Sequence, residues 1–425
     1  MLNQGVITSF TDAFISNDEI RKYMKPDSAT AAKLAGLTIS DRTAKGITRK
    51  NIGNEEDGIK WQYKSPKGKL SKGRIAELNA LAVPPGWDEV WYCSNERGHI
   101  QATGKDAKGR IQYRYHPDWI KIKADLKYAG VDEFALALPS LRERVEDDLK
   151  MKGMPLEKSV ALVIRLMDLF HIRIGSDEYA KENESYGLTT LQEGHVRFIR
   201  GKKAEGKLDA VLDFTGKSGK HWNLLIEDDN LAKMIEDSGK VGGNDEKQDL
   251  FRYVGENDRD FDIKATHINR YIEDATGISY TAKNFRTWAA SWKTGARLAL
   301  ISEASEEEIN ELGESAEIGE DEIIIWRNTH LKKAANIAKL AAKGSLHEQN
   351  DKQKQATLLA VIDTVAGDLG NTRTVCRSSY IRPMFMDDWL EGVFMKRWQD
   401  ASKMPAIPEL SPEETTAVHY MRTHE

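Results

Sequence analysis

Apolar and polar positions divide the chain into a front part with short spacings and a longer part with helical ones. Between residues 37 and 87 the apolar residues come in small groups cut by Gly and Pro. Ile59-Lys60-Trp61-Gln62-Tyr63 alternates as a strand does, Lys67-Gly68-Lys69 reads as a turn, and Val83-Pro84-Pro85-Gly86-Trp87 is a rigid connector. Residues 89–93 and 99–103 alternate again. A basic turn at 104–110 then leads into Gln112-Tyr113-Arg114-Tyr115-His116. This pattern predicts a small β-rich module.

From residue 117 the period becomes helical. Helices are expected at 141–151, 160–172, 230–237, 265–276, 282–300, 323–343 and 352–366, with one further amphipathic helix at 384–401 that places Trp389 and Trp398 in the core. Strands at 196–199, 208–214 and 221–226 interrupt them, the last two joined across Thr215-Gly216-Lys217-Ser218-Gly219-Lys220. Residues 185–191 read as a turn with short extended pieces, and the Pro-containing tail from 402 reads as loosely packed. The predicted class is α+β: a small β-rich domain at 37–117, then a larger, mainly helical domain with a β-hairpin at 118–383. A polar extension at 1–36 precedes them, and a helix and tail at 384–425 follow. No repeat of fixed period is visible.

Composition adds little until it is mapped. The chain has 425 residues, 30% charged and 40% hydrophobic, with a formal net charge of −5. No apolar run approaches the roughly 18 residues of a membrane span. No secretory pattern opens the chain. The two cysteines, Cys93 and Cys376, form no C-x-x-C pair. A cytosolic protein without disulfides, zinc or membrane contact is expected. The charge is uneven. Residues 41–130 carry 18 Lys and Arg against 11 Asp and Glu, while residues 301–322 hold ten acidic residues and no Lys or Arg. A basic section beside an acidic insert suits a phosphate-binding face, although two differently solvated surfaces would give the same count.

Several side chains stand out against this background. Lys108 and Arg110 can meet phosphates, and Gln112, Tyr113 and Tyr115 can reach sugars, phosphates or base edges; an ordinary charged hairpin has the same pattern. Lys217 sits at a hairpin tip, where a solvated turn lysine is the plainer reading. That turn does not fit G-x-x-x-x-G-K-[ST], so no nucleotide site is predicted. Arg173 follows a helix and could simply cap it. Lys283 and Arg286 lie three apart at a helix N-terminus, an uncomfortable place for two cations unless an anion is near. Tyr380, one of 13 tyrosines, closes the polar stretch from Leu369 and could attack phosphorus if cations reach it.

Together these stretches resemble the type IB DNA topoisomerases of the compact bacterial and poxvirus type. The resemblance covers roughly 37–383. It rests on the Val83 to Trp87 connector, on the stretch from Gln101-Ala102-Thr103-Gly104 to Tyr115-His116-Pro117, and on Ile172-Arg173-Ile174-Gly175. It continues through Tyr179-Ala180-Lys181-Glu182-Asn183, Tyr186-Gly187-Leu188-Thr189-Thr190-Leu191, Phe214-Thr215-Gly216-Lys217, Lys283-Asn284-Phe285-Arg286-Thr287 and the stretch from Leu369 to Tyr380. It implies Tyr380 as nucleophile, Arg173 and Arg286 as the active-site arginines, Lys217 as the hairpin lysine, and Asn371 where eukaryotic and poxvirus enzymes have histidine. Asparagine can donate a neutral hydrogen bond but carries no charge. Tyr179 and Lys283 join the expected DNA contacts. The family further implies a two-domain clamp on duplex DNA and a 3′-phosphotyrosine intermediate. It implies a monomeric, cytoplasmic, nucleoid-associated enzyme that needs neither ATP nor metal. A tyrosine recombinase shares the catalytic logic but usually sets its second arginine in H-x-x-R, where this chain has K-x-x-R. A non-catalytic DNA-binding protein would have no reason to combine these four side chains.

Overall fold

A computed structural model of the chain describes residues 28–53, 58–128, 130–201, 207–243, 245–303 and 350–423. They fall into two compact units, 28–130 and 131–423. The expected helix at 323–343, the acidic insert from 304 onward and the extension before 28 lie outside the described residues. Among those residues no helix is long and apolar enough to cross a membrane.

In the first unit the alternating stretches become strands. β1 (Thr48–Asn51) pairs antiparallel with β2 (Trp61–Lys64). β3 (Asp88–Tyr92), β4 (Ile100–Lys105) and β5 (Ile111–Tyr115) form an antiparallel sheet in that order, with Thr103 opposite both Trp91 and Tyr113. Ile47, Leu78, Val83, Tyr92 and Ala102 make its core. A smaller cluster of Ala31, Ala32, Leu37 and Trp119 joins α1 (Ser28–Leu34) to α3 (Pro117–Tyr128).

The helix α2 (Lys72–Ala80) was not legible in the apolar pattern, because its buried residues are only Arg74 and Leu78. It is held instead by capping and a buried cation. The Ser71 hydroxyl accepts from the Arg74 backbone N–H at 3.0 Å, and the Arg74 guanidinium donates to the Cys93 carbonyl at 3.0 Å.

The second unit is mainly helical. α4 (Val131–Leu149) starts ten residues before the expected point, and Pro139 lies inside it. There follow α5 (Leu156–Phe170), α6 (Asp177–Asn183) and the antiparallel strands β6 (Val196–Arg200), β7 (Leu208–Gly216) and β8 (Lys220–Ile226). The short stretch expected at 185–191 contains a single 3₁₀ turn, Leu188–Thr190. Next come α7 (Asp229–Gly239), a small hairpin of β9 (Arg252–Val254) and β10 (Asp260–Asp262), and α8 (Ala265–Thr276). The helix α9 (Ala282–Glu303) is central, packing on α4, α5 and the later helices α10 (Asp351–Asp368), α12 (Pro383–Glu391), α13 (Phe394–Ser402) and α14 (Pro412–Thr423). Phe285, Arg286, Trp288, Ala290, Ser291 and Thr294 of α9 are all buried.

Two expectations for the C-terminus are corrected. The helix expected at 384–401 is two helices, α12 and α13, because Gly392 ends the first in a left-handed conformation at φ 80°. Trp389 and Trp398 are nevertheless core. The tail from 402 is not loose: α14 buries Ala417, Val418, Tyr420 and Met421. Tyr420 stacks on Phe385 with ring centroids 5.0 Å apart and sits against Phe394 and Trp398. Each such buried large apolar side chain contributes about 1.5–3 kcal/mol relative to exposure. The tail read as loose because its apolar residues fall in a short run between prolines and charges, too short to show a period.

Candidate active site

The second unit brings Arg173, Arg286, Asn371 and Tyr380 together from four separate segments. Arg173 lies beyond α5, which ends at His171 in a left-handed conformation at φ 57°. The chain leaves in an extended path held from outside: the Leu188 N–H donates to the Arg173 carbonyl at 2.9 Å, and the Thr189 N–H to the Ile174 carbonyl at 2.7 Å. Arg286 comes from α9 and is only 3% exposed. Its guanidinium donates to the His171 carbonyl and, at 2.7 Å, to the Leu369 carbonyl, while its Nε has no partner. Burial and then the Arg173 charge bring its pKa down to about 10, so it stays cationic at neutral pH.

Asn371 stands in the turn after α10. Its N–H donates to the Ala366 carbonyl at 2.7 Å, and Gly370 before it takes φ 55° against the Trp222 ring. A Cβ at position 370 would lie 2.4 Å from Trp222 Cζ2, so only glycine allows this approach. The Asn371 Oδ1 accepts from Arg173 at 2.5 Å, and its buried Nδ2 has no partner. A short helix, α11 (Arg373–Ser379), capped by the Thr372 hydroxyl, then delivers Tyr380 at its C-terminal end. The Arg286 guanidinium lies 5.1 Å from the centre of the Tyr380 ring. Burial alone would raise the phenol pKa, but the charge and hydrogen bond of Arg286, then the charges of Arg173 and Lys283, outweigh it and the net shift is downward.

The other expected residues are less gathered. Lys283 is exposed in the first turn of α9, yet near enough to act on Tyr380. Lys217 is exposed at the tip between β7 and β8, its ammonium 5.3 Å over the ring of Tyr179, itself 49% exposed. Both are open to a ligand, but no contact joins Lys217 to Tyr380.

In the first unit Lys108 is exposed, whereas Arg110 and Gln112 both donate to the Asp106 carboxylate at 2.9 Å. Those bonds, that of Arg110 foremost, hold Asp106 down at about 2. Arg110 therefore reaches a phosphate only while tied to a carboxylate, and Lys108 is the freer cation. Tyr113 and Tyr115 stack 5.8 Å apart, and Arg42, which the sequence did not single out, donates to the Tyr113 hydroxyl at 2.6 Å. The anchors of Arg286 were also missed. They are backbone carbonyls, which no side-chain pattern reveals.

Among the described residues no three His, Cys, Asp or Glu side chains group to hold a metal ion. The site as built offers a half-buried phenol under cationic influence and two unsatisfied buried N–H groups, a set matched to an oxygen nucleophile and an anionic centre.

Comparison with known proteins fits that chemistry. The family model described as eukaryotic DNA topoisomerase I, catalytic core, matches residues 118–388. The chain belongs to the type IB DNA topoisomerase family. The model for the bacterial DNA topoisomerase IB N-terminal domain matches residues 60–106, so both units carry parts of the family. DNA topoisomerase 1B of Acanthamoeba polyphaga mimivirus is 28% identical over 250 residues, 58% of this chain and 70% of that protein. DNA topoisomerase 1B of Vaccinia virus (strain Western Reserve) is 24% identical over 193 residues, 42% of this chain. The match spans about half, 54%, of the poxvirus protein's length. The family match stops short of α13 and α14, which the structure nevertheless packs onto α9.

Proposed function

We propose that this enzyme relaxes supercoiled duplex DNA by cutting and resealing one strand, with Tyr380 as nucleophile. The Tyr380 Oη attacks a backbone phosphorus as the bond from phosphorus to the 5′-oxygen breaks. This leaves a 3′-phosphotyrosine and a 5′-hydroxyl, and the phenol proton is lost to solvent. Arg173 and Arg286 hold the non-bridging oxygens, with the Asn371 Nδ2 as a neutral third donor. Lys217 supplies the proton that the departing 5′-oxygen takes up. After the cut strand has turned, the 5′-hydroxyl attacks the phosphotyrosine and restores the phosphodiester. The covalent link conserves the bond energy, so the cycle needs neither ATP nor metal.

The observation that carries this reading is geometric: the Arg286 guanidinium lies 5.1 Å from the centre of the half-buried Tyr380 ring, and Arg173, hydrogen-bonded to Asn371, acts on the same phenol. The enzyme is read as a monomer that works in the cytoplasm on nucleoid DNA. Lys108, Arg110, Gln112, Tyr113 and Tyr115 are read as further contacts to the duplex, and Tyr179 and Lys283 as contacts beside the scissile phosphate. Tyr380→Phe tests the reading. It removes the attacking oxygen with little loss of packing, so plasmid relaxation in chelator and covalent capture of DNA should vanish while DNA binding persists. Relaxation by the Phe variant would refute it.

A further inference from the structure

The segment just after Tyr380 is held in a way that its own short helix does not explain. The Ser291 hydroxyl, fully buried on α9, lies 3.3 Å from the Tyr380 carbonyl and 2.8 Å from the Thr287 carbonyl, between which its one proton is shared. Its oxygen accepts from the Arg382 backbone N–H at 3.1 Å. One hydroxyl thus brackets the peptide groups on both sides of Ile381, which is itself fully buried. It ties them to the helix that carries Arg286.

The side chain of Arg382 continues the clasp. It lies 3.7 Å from the Asp132 carboxylate at the start of α4, and the other oxygen of that carboxylate accepts from Arg422 of α14 at 3.2 Å. Asp132 is 5% exposed, so its charge is poorly screened and removing a cation beside it is costly. A second carboxylate fixes α14 at its other end. Glu414 accepts from Arg142 on both oxygens at 2.9 Å and from the Trp288 indole at 3.0 Å, two residues beyond Arg286. The helix α14 lies beyond the part of the chain that the catalytic-core model matches.

We propose that Ser291 and Asp132 are positioning residues for Tyr380, and that Arg422 makes the C-terminal helix part of the same clasp. This rests on Tyr380 being the nucleophile. The clasp sets the phenol relative to Arg286. Without the Ser291 hydroxyl the Arg382 N–H and the Tyr380 carbonyl lose their partner and the segment shifts. Without Arg422, which also lies 3.8 Å from the Glu133 carboxylate, Asp132 keeps Arg382 as its cation beside Glu133 and draws it out of its present place. A displacement of about 1 Å at a reacting atom can cost on the order of 100-fold in rate.

The test uses the full chain with Ser291→Ala, Arg422→Ala, Arg422→Lys and Tyr380→Phe. Covalent adduct formation on a duplex that cannot religate is followed under single turnover at saturating enzyme and across pH, beside DNA affinity and Tm. Ser291→Ala and Arg422→Ala should slow adduct formation by roughly 10- to 100-fold with DNA affinity unchanged, and Arg422→Lys should recover most of the rate. The rising limb of the pH profile should also move to higher pH, because a displaced phenol loses part of the cationic influence of Arg286. Arg422 is more exposed than Ser291, so its variants decide the matter if Ser291→Ala is unstable. Parent-like rates, or slower rates with an unmoved profile and a Tm that falls in step, would overturn the clasp. Adduct formation by Tyr380→Phe would instead overturn the assignment of the nucleophile.

Discussion

Asn371 serves two partners with one amide, and its substitution separates them. The Oδ1 accepts from Arg173 at 2.5 Å, while the buried Nδ2 has no partner in the protein. If the Nδ2 donates to a non-bridging oxygen, Asn371→Ala removes one donor from the developing charge, which costs about 100- to 1,000-fold, or about 2.7–4 kcal/mol. The same change frees Arg173 from a charge-assisted hydrogen bond of about 1.5–3 kcal/mol, but the phosphate can recapture that arginine, so less of this loss reaches the rate. Asn371→Asp reverses the balance. It keeps and strengthens the partner of Arg173, yet offers no donor and adds a negative charge beside an anionic phosphate. At roughly 5 Å and an effective dielectric near 20, that repulsion is about 3 kcal/mol. The Asp variant should therefore cleave more slowly than the Ala variant, although its arginine is better held. Single-turnover adduct formation at saturating enzyme measures both, with DNA affinity as the control. A parent-like rate for Asn371→Ala would refute the donor role. An Asp variant faster than the Ala variant would show that holding Arg173 is the whole of the residue's work.

Three further outcomes follow from the geometry. Lys217→Ala should slow cleavage by about 100- to 10,000-fold; a substrate with sulfur at the bridging 5′ position should rescue it but not Arg173→Ala, since a thiolate leaves without a proton, and equal rescue of both would exclude lysine as the acid. Replacing Lys108 and Arg110 with Gln should flatten the dependence of log affinity on log salt by about 0.9 for each phosphate no longer neutralised, and an unchanged slope would take this turn out of the interface. Burial and then the Asp132 charge push the Glu133 carboxyl up from 4.5 to about 7, so between those values the folded chain holds a proton that the unfolded chain releases, and stability falls as pH rises through that window. Glu133→Gln should accordingly raise Tm more at pH 8 than at pH 5, and an equal gain at both would refute the shift.

What the sequence revealed and what it hid divide along a physical line. Long apolar periods are local, so α5, α8, α9 and α10 could be read closely, as could the hairpin of β7 and β8. The helix α2 could not, because it is held by a serine cap and a buried arginine rather than by an apolar stripe. The helix α14 escaped because its buried apolar run is too short to show a period and because Glu414, which also fixes it, has partners distant in sequence, Arg142 and Trp288. A buried ion pair between remote residues looks in sequence like surface charge. For the site, residue types and family motifs suggested Arg173, Arg286, Asn371 and Tyr380. They did not suggest that Arg286 is aimed by two carbonyls, or that a serine on its own helix brackets the backbone beyond the tyrosine.

The clearest distinction between Tyr380 and the other tyrosines is electrostatic, and it exists only in the fold. Among the described residues, burial raises the phenols of Tyr63, Tyr92, Tyr115, Tyr271, Tyr280 and Tyr420, as expected for a group whose charged form is desolvated. Tyr271 and Tyr420 also donate to the carboxylates of Asp148 and Asp388, which opposes ionisation further. Tyr380 is desolvated as well, yet it shifts the other way, because the charge and hydrogen bond of Arg286 and the charges of Arg173 and Lys283 outweigh its burial. Those cations could have been neutralised, as Lys293 and Arg297 further along α9 are by Asp368 at the end of α10. Arg286, whose partners are two backbone carbonyls and the Tyr380 phenol rather than a carboxylate, keeps its full charge available. The same charge can then favour the phenolate before attack and the phosphate oxygens during it, so one unneutralised arginine serves both the nucleophile and the transition state.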